Sequence, residues 1–235
     1  MTMQLTRDQT FKVVLNLRTP ASGGGERVGT GIFIIKNNSE PYILTATHVA
    51  NGCDASTSVV ISDASSNGQS FDLGLLNSSQ AWIHHPVADI SVLRVEPDPS
   101  ILPHLTGRFF PAEQLNPTTN PPSRDAFLTA VGFPHGLGAI GRFSPFTFRS
   151  HASSSLVTLA RFDIGTPCDF FILENPAVGG YSGGPVFDLG YIIVGAMTTN
   201  TGPTVCHGII HGTISDDTGG KIAAVTPCSY VSDLI

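Results

Sequence analysis

Charge is scarce in this chain of 235 residues. Acidic and basic side chains make up 13% of it, and 18 acidic residues against 12 basic ones leave a net charge of −6. Scarce charge beside 41% hydrophobic residues excludes a disordered chain, which needs low hydrophobicity and high net charge. Runs of Lys and Arg are missing. Nucleic-acid binders carry such clusters, so no nucleic-acid partner is expected. No stretch of about 18 uninterrupted apolar residues occurs, which argues against a membrane span or a membrane partner. Residues 1–12 are polar and lack the apolar core of a secretory signal. Four cysteines (Cys53, Cys168, Cys206 and Cys228) are too few and too scattered for a disulfide scaffold. These absences are read together as a cytoplasmic protein with reduced thiols. Helical periodicity over more than about ten residues is rare, and no internal repeat is visible.

What the chain has is strand signal. Phe11–Leu17, Gly31–Ile35 and Tyr42–Ala46 are short β-branched or aromatic runs separated by Gly, Asn and Ser. Ser58–Ser62, Gln80–His84, Ile90–Val95, Ala126–Gly132, Ser155–Phe162, Phe170–Leu173, Pro185–Phe187, Ile192–Met197 and Lys221–Val225 extend the series. The best helical segment is a single turn near Pro111–Leu115. Many short strands at roughly even spacing predict an all-β sandwich or barrel protein. The proline-rich stretch from Pro97 to Ser123 reads as a connector, so two all-β halves are expected. They comprise residues 1–110 and 126–235, joined across 111–125. The run Gly23–Gly25 lacks the Lys-Ser/Thr of a phosphate loop and reads as a hairpin tip.

Three local patterns carry chemistry together. His48 closes Thr45-Ala46-Thr47-His48 directly after an apolar strand. Asp89 opens the apolar run Ile90–Leu93. Ser182 stands among glycines in Gly179-Gly180-Tyr181-Ser182-Gly183-Gly184-Pro185. Each alone reads as an ordinary strand end or loop. Jointly they supply a nucleophile, a base and an orienting carboxylate. A serine hydroxyl attacks only when an imidazole takes its proton. The imidazole needs a carboxylate on its other nitrogen to fix the tautomer. Glycines let the backbone turn sharply and present N–H groups to an oxyanion.

With the order His48, Asp89, Ser182 and separations of 41 and 93 residues, the chain resembles a trypsin-like, chymotrypsin-fold serine peptidase of the small bacterial type without a signal peptide. The resemblance implies two perpendicular six-stranded antiparallel β-barrels with the site in the cleft between them. It implies a serine endopeptidase that cleaves protein or peptide substrates through an acyl-enzyme, without cofactor or metal. His48 would be the base, Asp89 its orienting partner, Ser182 the nucleophile, and the amides of Gly180 and Ser182 the oxyanion hole. By the same resemblance Thr198 would bond the Asp, and Thr198, Thr199 and Asn200 would pair with substrate. Pro176 would form the floor of the specificity pocket, and Gly220 would belong to its far wall. The residue before the nucleophile is Tyr181, whereas zymogen-activated relatives carry an Asp there, so that activation switch is absent. Relatives triggered by a partner protein make an activating partner part of the expectation. Oligomeric state is not indicated.

Three other readings compete. Gly180-Tyr181-Ser182-Gly183-Gly184 also fits the nucleophile elbow of α/β-hydrolases. That fold needs Asp and then His downstream with helices between strands, and only 53 residues follow Ser182. A protease fold kept for binding or regulation is the second. The third is a zinc site at Cys206, His207 and His211, with Cys228 downstream; a loop near the cleft is the preferred reading there. His84 and His85 read as surface loop residues.

Overall fold

The computed structural model describes residues 2–235. The protein is nearly all β, as expected. One antiparallel sheet runs, in spatial order, through Gly68–Asp72, Ser58–Ser62, Val14–Pro20, Glu26–Lys36, Glu40–Thr45, Ser91–Arg94 and Ile83–His84. The short strand Phe110–Pro111 adds to it, parallel to Glu26–Lys36. The second sheet runs through Phe146–Ser150, Leu128–Gly132, Pro185–Asp188, Val205–Ser215, Lys221–Pro227, Pro167–Leu173 and Val157–Ala160. These hydrogen-bonded paths run from edge to edge. The hairpin Tyr191–Val194 with Met197–Asn200 stands apart as a two-stranded sheet.

Alternation along the strands explains how two sheets make one molecule. Leu15, Phe33, Ile43, Val59 and Leu93 enclose a core belonging to the first sheet. Their chain neighbours Val14, Ile32, Leu44, Val60 and Val92 point the other way. These join Phe133, Phe170, Phe187 and Ile209 of the second sheet in a shared cluster. Leu128, Phe171, Val186, Ile210 and Val225 fill the second sheet's own core. The central strands are therefore apolar on both faces and read as unbroken hydrophobic runs. Each fully buried large apolar side chain contributes about 1.5–3 kcal/mol. Phe110 meets Phe187 edge-on at 5.3 Å across the shared face.

The N-terminal segment docks on the second half. Leu5 N–H donates to Thr204 Oγ1 at 2.8 Å, and Gln4 Nε2 donates to Gly190 O at 2.9 Å. The expected helical turn near Pro111–Leu115 is a 3-10 turn, Ala112–Gln114. The run Ile192–Met197, expected as one strand, turns at Gly195 and is a hairpin. The 11-residue strand Val205–Ser215 was not anticipated. Its glycines and histidines break the apolar pattern.

Candidate active site

His48 lies in a single helical turn, Thr47–Ala50, that follows the strand Glu40–Thr45. Two threonines hold this junction. Thr45 Oγ1 donates to Thr30 O at 2.7 Å, and Thr47 Oγ1 donates to Ile90 O at 3.0 Å. The second bond ties the His48 turn to the segment carrying Asp89. That segment is folded by His85, whose Nδ1 accepts the backbone N–H of Ala88 at 2.8 Å and of Val87 at 3.1 Å. His85 is thus a buried structural residue rather than a surface one.

Asp89 is fully buried. Its Oδ2 accepts from His48 Nδ1 at 2.7 Å, and its Oδ1 accepts from the His48 backbone N–H at 3.0 Å. The imidazole is thereby fixed with its proton on Nδ1. Nε2 makes no hydrogen bond among the described residues and is free to take a proton. Burial alone would raise the Asp89 pKa. Hydrogen bonds from His211 and His48 outweigh it and hold the carboxyl well below its usual range.

The residue beside Asp89 is not Thr198. That threonine, with Thr199 and Asn200, sits in the exposed hairpin strand Met197–Asn200. His211 of the strand Val205–Ser215 takes the place expected for Thr198, donating from Nδ1 to Asp89 Oδ2 at 2.5 Å. The mismatch has a physical reason. The strand that crosses behind the site must be buried at Asp89, and the hairpin's four residues are all exposed, whereas His211 is buried. Pro176 is exposed in the loop before buried Ala177. Gly220 lies at the exposed turn of the last hairpin, its N–H donating to Asp216 Oδ1 at 3.0 Å. Across from Thr213 on the neighbouring strand is Ala223.

Ser182 and His48 line the same cleft of about 310 Å³, together with Gly179, Gly180 and Phe162. The Ser182 hydroxyl donates to His211 O at 3.3 Å. The backbone around it is clamped from both halves. Thr30 of the first sheet donates from N to Ser182 O at 2.8 Å and from Oγ1 to Gly180 O at 2.7 Å. His135 N donates to Gly179 O at 2.7 Å. In a trans peptide C=O and N–H point in opposite directions. The Gly180 N–H is therefore directed away from His135. Gly180 has φ +98°, and a Cβ there would stand 2.2 Å from Phe133 O. Gly183, at φ +80°, would meet Thr30 O at 2.2 Å. Both positions require glycine.

Tyr181, next to the serine, is buried against Phe148 with ring centroids 5.2 Å apart. Burial pushes its hydroxyl up to about 12. An aromatic ring, not an ion pair, supports the nucleophile loop from beneath. Cys53 also lines the cleft, but burial pushes its thiol up to about 11, which leaves little thiolate to compete as a nucleophile.

Cys206, His207 and His211 do not converge. Cys206 meets Cys228, with sulfurs 3.7 Å apart, His207 Nδ1 pairs with Asn116 Nδ2, and His211 faces Asp89. The metal-type grouping among the described residues is instead His48, Asp89 and His211. His211 Nε2 accepts Phe162 N–H at 3.4 Å while Nδ1 donates to Asp89. Hydrogen bonds account for every nitrogen of His211 without an ion. Sequence reasoning missed His211 in this role, and also Arg161, Phe162 and Thr30. The apolar pair Ile209-Ile210 just before His211 was the available signal.

Two packed antiparallel sheets with a His–Asp pair and a glycine-bound serine at their junction define a chymotrypsin-like class of protein. Residues 29–195 match the trypsin-like peptidase domain, and the chain belongs to that family. No curated protein sequence matches it. Among solved structures it is similar to the active form of the Rv3671c protease from M. tuberculosis. Identity is 18% with a TM-score of 0.60, covering 95% of this chain and 79% of that one. The MamO protease domain from Magnetospirillum magneticum, in its apo form, gives 14% identity and a TM-score of 0.60, over 96% and 97% of the two chains. A variant of the HtrA-type protease AlgW with a tripeptide gives 18% and 0.59, and this chain covers 58% of its length. No helix among the described residues is long and apolar enough to cross a membrane.

Proposed function

We propose that the protein is a serine endopeptidase. Ser182 attacks the peptide carbonyl while His48 Nε2 takes its proton. Asp89 holds the imidazole tautomer and stabilises the imidazolium that forms. The amides of Gly180 and Ser182 receive the oxyanion. His48 then returns the proton to the leaving amine, and water releases the acyl group by the same path. The observation that carries this reading is the 2.7 Å contact between His48 Nδ1 and Asp89 Oδ2, in a cleft that Ser182 also lines. No cofactor takes part in these steps. The two cleft halves meet a protein or peptide substrate. Four free thiols, two of them with sulfurs 3.7 Å apart, suit a reducing, cytoplasmic setting.

A second reading has its own support. The Ser182 hydroxyl is engaged by His211 O, which fits a resting enzyme that a substrate or an activating partner turns on, or a protease fold kept for binding. Labelling with a fluorophosphonate probe separates them. Labelling of the wild type that vanishes in Ser182→Ala is expected. A folded wild-type protein that stays unlabelled overturns a constitutively active peptidase.

A further inference from the structure

Asp89 accepts more than the His48 contacts need. Arg161 Nη2 reaches Oδ1 at 3.3 Å, in addition to His211 at Oδ2. Arg161 begins the loop between strands Val157–Ala160 and Pro167–Leu173, so it belongs to the second half, whereas His48 and Asp89 belong to the first. Its side chain is 2% exposed. A buried guanidinium is costly unless its charge and donors are met. Here each nitrogen has a partner: Nη1 donates to Val87 O at 2.9 Å, Nε donates to Asp163 Oδ1 at 3.0 Å, and Nη2 also donates to Asp163 Oδ2 at 2.6 Å. Val87 and Asp89 flank the turn that delivers the carboxylate. The next residue, Phe162, packs edge-on against the His48 ring at 4.8 Å.

We infer that Arg161 is a positioning residue for the Asp89–His48 pair, a buried cation from the second half of the molecule that fixes the carboxylate orienting the base. The inference rests on the peptidase reading above. Its physical content is twofold. Arg161 pins Oδ1, so that Oδ2 stays in line with His48 Nδ1. Its positive charge also offsets part of the Asp89 charge and so weakens the pull on the imidazolium. The groups facing Asp89 are His48 from its helical turn, His211 from the strand Val205–Ser215, Arg161 with Asp163 from the loop, and Cys168 from the strand Pro167–Leu173. Burial raises the Cys168 thiol, which stays neutral. His84, on the far side of Ser91, also feels Arg161.

The two charges of the loop act on His48 with opposite signs. Removing Arg161 leaves Asp89 and Asp163 uncompensated and stabilises the imidazolium. Removing the Asp163 charge leaves Arg161 uncompensated and destabilises it. The test is the titration of the assigned His48 imidazole by NMR on the full chain, in wild type, Arg161→Gln and Asp163→Asn. Arg161→Gln should raise the midpoint by about half a pH unit and Asp163→Asn should lower it by a similar amount. The fluorophosphonate inactivation rate supplies a second readout. Arg161→Gln should slow it by about a hundred-fold at its plateau and move its acid limb to higher pH, and Arg161→Lys should recover part of the loss. Unchanged midpoints, or midpoints that move in the same direction in both variants, overturn the inference. If Arg161→Gln does not fold by circular dichroism, Asp163→Asn decides alone, and an unmoved His48 midpoint there is fatal. An unlabelled wild type would instead defeat the peptidase reading, because the NMR titration needs no turnover.

Discussion

The two sides of the cleft are built differently. On the carboxylate side every lone-pair direction is filled. Asp89 is fully buried and takes donors from His48 twice, from His211 and from Arg161. On the nucleophile side the backbone is equally fixed, through the carbonyls of Gly179, Gly180 and Ser182, yet the serine hydroxyl is held by one long bond to His211 O. One side is committed to a single arrangement. On the other, the hydroxyl can turn about the Ser182 side-chain torsion, a low barrier beside any loop refolding. Catalysis needs both kinds of order: a base that cannot turn, and a nucleophile that can.

The comparison breaks most completely where one side loses its reacting group. Ser182→Ala or His48→Ala should lower kcat for peptide hydrolysis by on the order of a million-fold. Losses below about ten-fold in both would remove the site from consideration. Asp89→Asn should cost on the order of ten thousand-fold. An amide at this position sets its own N–H groups against donors that now meet a carboxylate, and the His48 tautomer is no longer fixed. Gly180→Ala attacks the opposite side. Its Cβ would lie 2.2 Å from Phe133 O at a φ of +98°, so the peptide that presents the Gly180 N–H must turn. A loss of about a hundred- to a thousand-fold in kcat, with KM nearly unchanged, is the expected signature of a lost oxyanion donor.

The committed side also leaves a mark on stability. The folded Asp89 carboxyl is held below its usual range. By linkage it contributes stability above the ordinary carboxylate pKa, and that contribution is lost as pH falls through the folded value. Thermal melts from neutral to acid pH should show a steeper fall in Tm for wild type than for Asp89→Asn. Parallel curves would mean that the charge on Asp89 adds nothing to folding.

Much of this was legible in the sequence, and the misses share one cause. Short apolar runs such as Ser58–Ser62 and Lys221–Val225 announced strands that the structure contains within two residues. The order and glycine setting of His48, Asp89 and Ser182 pointed to residues of which His48 and Ser182 line one cleft, with Asp89 buried behind His48. The strand Val205–Ser215 escaped because Gly208, Gly212, His207 and His211 interrupt its pattern. Those residues follow from neighbours no local window shows. A Cβ at Gly208 would stand 2.4 Å from Thr226 O, and His211 is polar because Asp89 stands behind it. Arg161 falls unremarked inside the expected strand Ser155–Phe162, since its partners Val87 and Asp89 are more than 70 residues away in the chain.

The smallest expected effect sharpens that same contrast. Thr198 in the hairpin and His211 in the buried strand both precede a threonine two residues on, or directly, in similar β-rich text, and only burial tells them apart. His211→Ala removes a donor from Asp89 Oδ2, leaves a cavity beneath the Phe162 and Phe170 rings, which stack on it at 4.3 and 4.7 Å, and should slow fluorophosphonate labelling by about ten-fold or more. His211→Asn, which can still donate to the carboxylate, should recover part of that rate. Thr198→Ala touches an exposed strand that makes no contact with Asp89 and should change labelling by less than about two-fold. If the two alanine variants exchanged their effects, the strand facing the substrate would be the hairpin after all.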